Sequence, residues 1–250
     1  FHEGLHLGTN LSRTGAHKKS LVIGGEFMTH YMNWTQREVA VLFGDACGAV
    51  VIEASESETG MIAAKIGCES EAKYAIQITN IGSGYSRLTD DFLYNAWNFE
   101  GQEVFKRAVK AMAQASEDVL EQAGMSLDDI KLVVPHQANK RILNALAKRI
   151  GIDEDKVFVN VHKYGNTSAG TIPVALAEAL EEKRIEPGDH ILMASFGAGL
   201  TYGASLIKWG DRVAPLKSSD AKLPPCEKTA LELIAAHIER YKTRDLSSTS

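Results

Sequence analysis

The stretch Leu132-Val133-Val134-Pro135-His136-Gln137-Ala138-Asn139-Lys140-Arg141 decides how this chain is read. Three apolar residues run into Pro135, as a buried strand would. Directly afterwards Ile142, Leu143, Leu146, Ala147 and Ile150 recur at helical spacing, and Gly151 supplies a stop. His136 therefore stands where a strand ends and a helix begins. A polar side chain at such a junction is held rigidly and still faces a cleft. The stretch His162-Lys163-Tyr164-Gly165-Asn166-Thr167-Ser168-Ala169-Gly170 repeats the layout. Val157-Phe158-Val159-Asn160-Val161 before it predicts a strand, and residues 168–183 after it predict a helix. The two loops are expected to meet in space.

Outward from these loops, strands and helices alternate, which argues for an α/β layered fold. Residues 20–26, 49–54 and 61–67 read as strands, and Gly44-Asp45-Ala46-Cys47-Gly48 as a tight glycine-rich turn. Residues 1–19 read as a short or poorly formed helix, because Gly4 and Gly8 each cost about 1 kcal/mol against Ala in a helix. Residues 68–99 have no clear period. Their aromatics (Tyr74, Tyr85, Phe92, Tyr94, Trp97, Phe99) read as a cover over a cleft or interface. The strongest helical pattern runs from Gly101 to Ala123 and ends on Gly124. Residues 190–195 and 200–207 are the last strands, joined by Phe196-Gly197-Ala198-Gly199. Residues 210–226 form a linker, residues 227–243 an amphipathic helix, and the serine-rich end is expected to be disordered.

Composition narrows the function classes. The chain has 250 residues, 44% hydrophobic and 24% charged, with a formal net charge of -5. A mildly acidic chain is a poor general nucleic-acid binder, and no apolar run approaches the ~20 residues that span a bilayer. Cys47, Cys68 and Cys226 are too scattered for a disulfide framework or a zinc site, so a reducing cytoplasm is the expected location. Phe1 is neither an initiator Met nor the start of a signal peptide, which reads as a start after processing or within a longer protein.

His136 and Asn166 are the candidate catalytic pair. A histidine ahead of a helix feels the positive end of the helix dipole, which favours neutral imidazole, and neutral imidazole can donate to a developing oxyanion. The competing reading is a core histidine satisfied by backbone. Asn166 cannot titrate, so it suits an amide donor to an oxyanion, although Gly-Asn is also ordinary turn chemistry. The glycines after Phe196 would let a backbone N–H approach a ligand, but they lack the third glycine and following helix of a dinucleotide fingerprint. Ala46-Cys47-Gly48 is an incomplete nucleophile elbow followed by strand and is read as structural. His162 reads as a strand-end residue. Lys140, Arg141, Lys148 and Arg149 form either a solvated helix face or a patch that steers an anionic partner.

Pro135-His136-Gln137-Ala138-Asn139, Gly165-Asn166-Thr167-Ser168-Ala169 and Phe196-Gly197-Ala198-Gly199 together resemble the β-ketoacyl-acyl-carrier-protein synthase III family, in order and in spacing. Phe43-Gly44-Asp45 agrees as well. The resemblance covers residues 1 to about 209, and the segment beyond 210 looks like the C-terminal extension of one proteobacterial branch.

The resemblance implies a thiolase-like αβαβα fold: residues 1–55 end an N-terminal half, residues 56–209 form the C-terminal half, and residues 210–250 are an extension. It implies a homodimer, no metal or other cofactor, acyl-CoA and malonyl-carrier protein as substrates, and acyl carrier protein as partner. His136 and Asn166 match the His and Asn of a Cys-His-Asn triad. The Phe196-Gly197 backbone matches an oxyanion-stabilising turn, and Asn139, Arg141, Lys148 and Arg149 match positions linked to CoA or carrier-protein docking. Phe1 matches the Phe of a Cys-x-x-Phe segment, so the resemblance places the nucleophilic Cys three residues ahead of it, and none of the three cysteines present replaces it. The other readings are a non-catalytic partner subunit or remnant, and a related acyltransferase of the same fold.

Overall fold

A computed structural model describes residues 1–78, 97–217, 219–222 and 224–243. In chain order the elements are α1 (His2–Arg13), β1 (Lys19–Phe27), α2 (Arg37–Ala40), β2 (Asp45–Glu53), β3 (Gly60–Cys68), β4 (Ile76–Ile78), β5 (Trp97–Phe99), α3 (Gly101–Ala123), β6 (Leu132–Pro135), α4 (Lys140–Ile150), α5 (Val161–Tyr164), α6 (Thr171–Glu181), β7 (His190–Gly197), β8 (Thr201–Lys208) and α7 (Ala230–Lys242), with short 3-10 turns between them.

The layers follow from strand periodicity. A four-stranded sheet has the order β3-β8-β7-β6, with β6 parallel to β7 and the other pairs antiparallel. Successive side chains of a strand point to opposite faces. Leu132, Val134, Ile191 and Met193 accordingly enter one core with Ile172, Ala175 and Leu176 of α6. Val133 and Leu192 enter another with Ala115, Val119 and Leu120 of α3. Sequential apolar residues in β6 and β7 are thus buried on both faces, which is why these strands read as continuous apolar runs. The antiparallel pair β1–β2 forms a second sheet, with Val22 opposite Val50. Helices α1 and α6 touch both sheets, so they form the layer between them, while α3 and α4 cover the far side of the four-stranded sheet.

Three local expectations are corrected. Residues 1–19 contain a full helix of 12 residues. Its glycines serve contact: a Cβ on Gly8 would stand 2.9 Å from Ile52 Cδ1, and one on Gly4 3.0 Å from Val22 Cγ1. Close packing on the β1–β2 sheet offsets their poor helix propensity. Residues 45–48 are the start of strand β2 and not a turn, while a Cβ on Gly44 would collide with the Tyr164 carbonyl oxygen. The predicted strand at 157–161 is a single parallel bridge, Val133 to Val157, and Val161 already begins α5.

Other expectations hold closely. α3 ends at Ala123, with Gly124 in the left-handed region at φ 64°. The helix after Asn166 starts at Thr171, behind a 3-10 turn. Strand β7 extends through Gly197, so Phe196 and Gly197 lie within it. Of the aromatics expected to cover a cleft, Trp97 is buried and Tyr74 exposed. Tyr85, Phe92 and Tyr94 lie outside the described residues, as does the serine-rich end.

Candidate active site

The backbone N–H of His136 donates to the Ala194 carbonyl at 2.8 Å, the last tie between the end of β6 and β7. Asn139 then caps α4, its side-chain oxygen accepting the Ile142 N–H at 2.9 Å. Between them Gln137 is 1% exposed. Its amide nitrogen donates to the carbonyls of Pro135 (2.9 Å) and Phe158 (3.0 Å), and its oxygen accepts from the N–H groups of Asn160 (2.9 Å) and Val161 (3.2 Å). One buried amide therefore ties the His136 loop to the segment leading to Asn166. Asn160 in turn donates to Glu178 on α6 at 2.9 Å, and Tyr164 and Lys163 share the other Glu178 oxygen at 2.6 and 3.2 Å.

Asn166 is fixed from the opposite side. Its N–H donates to the Leu42 carbonyl at 2.8 Å, and its carbonyl accepts from Gly44 at 3.1 Å. Its side-chain oxygen accepts the Ser168 N–H at 2.9 Å. That assignment leaves the amide NH2 as the group available for a ligand. Ser168 is held at φ 50°, a left-handed conformation uncommon for a residue with a side chain.

His136 and Asn166 line one cavity of ≈ 550 Å³, together with Phe1, Phe43, Asn139, Phe196 and Gly197. The two loops expected to meet do meet. His136 Nδ1 lies 2.6 Å from Thr171 Oγ1, and no described residue hydrogen-bonds Nε2. Burial pushes the His136 imidazole down to about 4 from 6.5, so it is neutral through the physiological range. The arrangement turns an uncharged imidazole, whose Nε2 can donate in one of its two tautomers, and an uncharged NH2 toward one space, which suits an oxygen that gains negative charge.

Sequence reasoning also named residues that the structure places differently. Asn139 reaches the cavity but spends its side-chain oxygen on the helix cap. Arg141 is exposed at the cavity end of α4, its guanidinium 6.0 Å from the Phe105 ring centroid. Lys148 and Arg149 occupy the last turn of α4, about 10 Å further along the axis. Phe196 is buried in the cavity wall, and beside Gly197 there is open space where a side chain would stand. None of the cysteines lines the cavity; all three are exposed. His162 is exposed and off the cavity.

Gln137, Thr171 and Asn160 were given no role from sequence; Gln137 entered only as part of a motif, and neutral polar residues gave no other signal. His2 is a further buried polar residue of the site. It is 6% exposed in the cavity wall, with Nε2 2.7 Å from Ser205 Oγ, and burial pushes it down to about 4.

Comparison with known proteins agrees with this geometry. A family model described as 3-oxoacyl-[acyl-carrier-protein] synthase III matches residues 1–70, and a model of the C-terminal part of the same synthase matches residues 120–209. A β-ketoacyl-[acyl-carrier-protein] synthase III 2 of Vibrio vulnificus is 50% identical over 241 residues, 96% of this chain and 67% of the relative. The synthase III of Roseiflexus castenholzii is 42% identical over 211 residues, 82% of this chain and 63% of the relative. The crystal structure of the Aquifex aeolicus synthase III superposes with a TM-score of 0.75 at 40% identity, covering 83% of this chain and 63% of that one. The chain thus spans about two thirds of the length of the relatives it matches. With both family models falling on the segments that carry the cavity, and a thiolase-like fold shared with the solved synthases, the chain belongs to the 3-oxoacyl-[acyl-carrier-protein] synthase III family.

Proposed function

We propose that this chain carries the decarboxylating machinery of a β-ketoacyl-acyl-carrier-protein synthase III, which condenses an acyl group from acyl-CoA with malonyl-carrier protein. The observation that carries the reading is the convergence of His136 and Asn166 on one cavity from two loops locked together by Gln137.

In this reading the malonyl thioester carbonyl sits between His136 Nε2–H and the Asn166 amide. As the C–C bond to the carboxylate breaks, CO2 leaves and its electron pair becomes the enolate, whose oxygen both donors stabilise. The nucleophilic carbon then attacks an acyl thioester, forming the new C–C bond, and the thiolate that held the acyl group departs. Backbone N–H groups at the Phe196-Gly197 end of β7 are assigned to the tetrahedral oxyanion of that step. No redox or metal chemistry is required, because loss of CO2 itself supplies the carbanion.

The acyl-bearing thiolate is assigned to a cysteine three residues ahead of Phe1. Phe1 lines the cavity and leads into α1, and a helix N-terminus lowers a thiol's pKa. Arg141, Lys148 and Arg149 are assigned to the anionic carrier protein or CoA, Asn139 to the entrance they share, and the working unit to a homodimer in a reducing cytoplasm.

The test separates the two half-reactions in protein expressed from its complete gene. His136→Ala is expected to lower malonyl-carrier-protein decarboxylation by about 10²–10³-fold, the range for losing one oxyanion donor, while acyl transfer from acyl-CoA to the protein persists. Equal loss of both activities would contradict the assignment.

A further inference from the structure

We propose that Thr171 is a positioning residue of this site, whose hydroxyl decides which ring nitrogen of His136 carries the proton. The inference rests on the reading of His136 as donor to the thioester oxygen and adds what controls it.

Thr171 is 3% exposed, lines the cavity and opens α6. Its Oγ1 stands 2.6 Å from His136 Nδ1 and 3.0 Å from the Ser168 carbonyl oxygen. A hydroxyl has one hydrogen, so two arrangements exist. In the first the hydroxyl donates to Ser168, and Oγ1 accepts from Nδ1–H. Neutral imidazole has a single N–H, so Nε2 then faces the cavity as a lone pair and cannot donate. In the second the hydroxyl rotates to donate to Nδ1, and Nε2 carries the N–H.

The rotation leaves no orphan, because the Ser168 carbonyl already accepts the backbone N–H of Thr171. The first arrangement has one more internal hydrogen bond and suits the empty cavity. The second gains a bond from Nε2–H to the substrate oxygen, and hydrogen bonds to ionised partners are roughly twice as strong as neutral ones. A developing enolate therefore draws the pair into the second arrangement. One proton is lost from Nδ1 and one gained at Nε2 through water, with no net change. The same short turn holds Asn166, whose side-chain oxygen accepts the Ser168 N–H, so both donors are set by residues 166–171.

Thr171→Val keeps the shape and removes the hydroxyl; Thr171→Ser keeps the hydroxyl. In protein from the complete gene, Thr171→Val is expected to lower kcat for malonyl-carrier-protein decarboxylation by about 10–100-fold, by analogy with losing the partner that orients a metal-bound histidine. KM should stay within about 2-fold and acyl loading should be unchanged, since the lost interaction acts only as charge develops. Thr171→Ser should stay within about 3-fold of wild type. Nitrogen-15 spectra of labelled histidine should show wild-type His136 moving from Nδ1–H to Nε2–H when a thioester analogue carrying an anionic, enolate-like oxygen is bound. Thr171→Val should lack that change.

Normal decarboxylation by folded Thr171→Val, or a wild-type tautomer that ignores the analogue, would overturn the proposal. If Thr171→Val does not fold, Thr171→Ala is read against Thr171→Ser with the same criteria. His136→Ala is run alongside. If it decarboxylates normally, the functional reading fails; if it is slow while Thr171→Val is fast, the role of Thr171 alone fails.

Discussion

Replacing Gln137 by Leu tests whether the two loops form one unit. The change keeps approximate volume and removes one amide at the centre of the site. Four backbone groups then lose a partner: the carbonyls of Pro135 and Phe158 and the N–H groups of Asn160 and Val161. A carbonyl with two lone pairs tolerates the loss better than an N–H, which has one bond to give. Counting mainly the two N–H groups at about 1–3 kcal/mol each, and allowing for local relaxation, the variant should lose about 3 kcal/mol. For a chain of this size that is a fall in Tm of roughly 6–12 °C, readable by thermal and denaturant unfolding. Function should fall further than stability explains. Under conditions where the variant is fully folded, kcat for malonyl decarboxylation should drop while KM changes little, because His136 and Asn166 lose their shared anchor. A Gln137→Leu protein within 1 kcal/mol of wild type, with decarboxylation unchanged, would refute the idea that this amide couples the loops.

Two further outcomes follow from charge. His2 is held at about 4 by burial, against 6.5 when unfolded, so the unfolded chain binds the proton first as pH falls. Its contribution is fully present above pH 6.5 and is lost between pH 6.5 and 4, amounting to about 3 kcal/mol. His136 shifts the same way. Denaturant unfolding from pH 7.5 to 4.5 should show this decline, and His2→Asn should flatten it. A histidine titration near pH 6.5 that strengthens the fold on acidification would contradict both assignments. Arg141→Glu should raise KM for the carrier protein by about 3–10-fold in low salt, with kcat unchanged and the effect shrinking toward 0.5 M salt. Salt-independent weakening would argue against an electrostatic role for this exposed side chain.

What could be read in the sequence was what repeats. The apolar runs of β6 and β7, the stripe of α3 and the glycines at 124 and 151 each report a period or a stop, and the structure places them where the pattern did. What misled was local resemblance without knowledge of the partner. Val157 to Val161 alternates like a strand, yet only the Phe158 N–H reaches β6, at the Val133 carbonyl. The next strand-like donors, at Asn160 and Val161, are taken by a side chain from a residue distant in sequence. The same blindness applied to α1, whose glycines look like weak helix until the β1–β2 sheet is set against them. At the site, sequence pointed to His136 through its place between β6 and α4 and to Asn166 through the motif around it, and both line the cavity. Gln137 and Thr171 were not legible, since a neutral polar residue shows its role only through what it faces in space.

That both donors are uncharged bears on the chemistry assigned here. A malonyl thioester arrives with a carboxylate, and the reaction requires that group to leave. A protonated His136 would attract the carboxylate in the ground state and stabilise what must be lost, so part of its interaction would be present before the transition state and would not lower the barrier. A neutral imidazole N–H and an amide NH2 interact modestly with a thioester carbonyl and more strongly as that oxygen becomes an enolate. On the proposed function, burial of His136 would favour the transition state over the ground state by keeping the imidazole neutral. The same argument sets a limit on repair: Asn166→Asp, nearly identical in shape, replaces a donor by a carboxylate beside a forming enolate. It should lower decarboxylation more than Asn166→Ala does, because repulsion is added to a lost hydrogen bond.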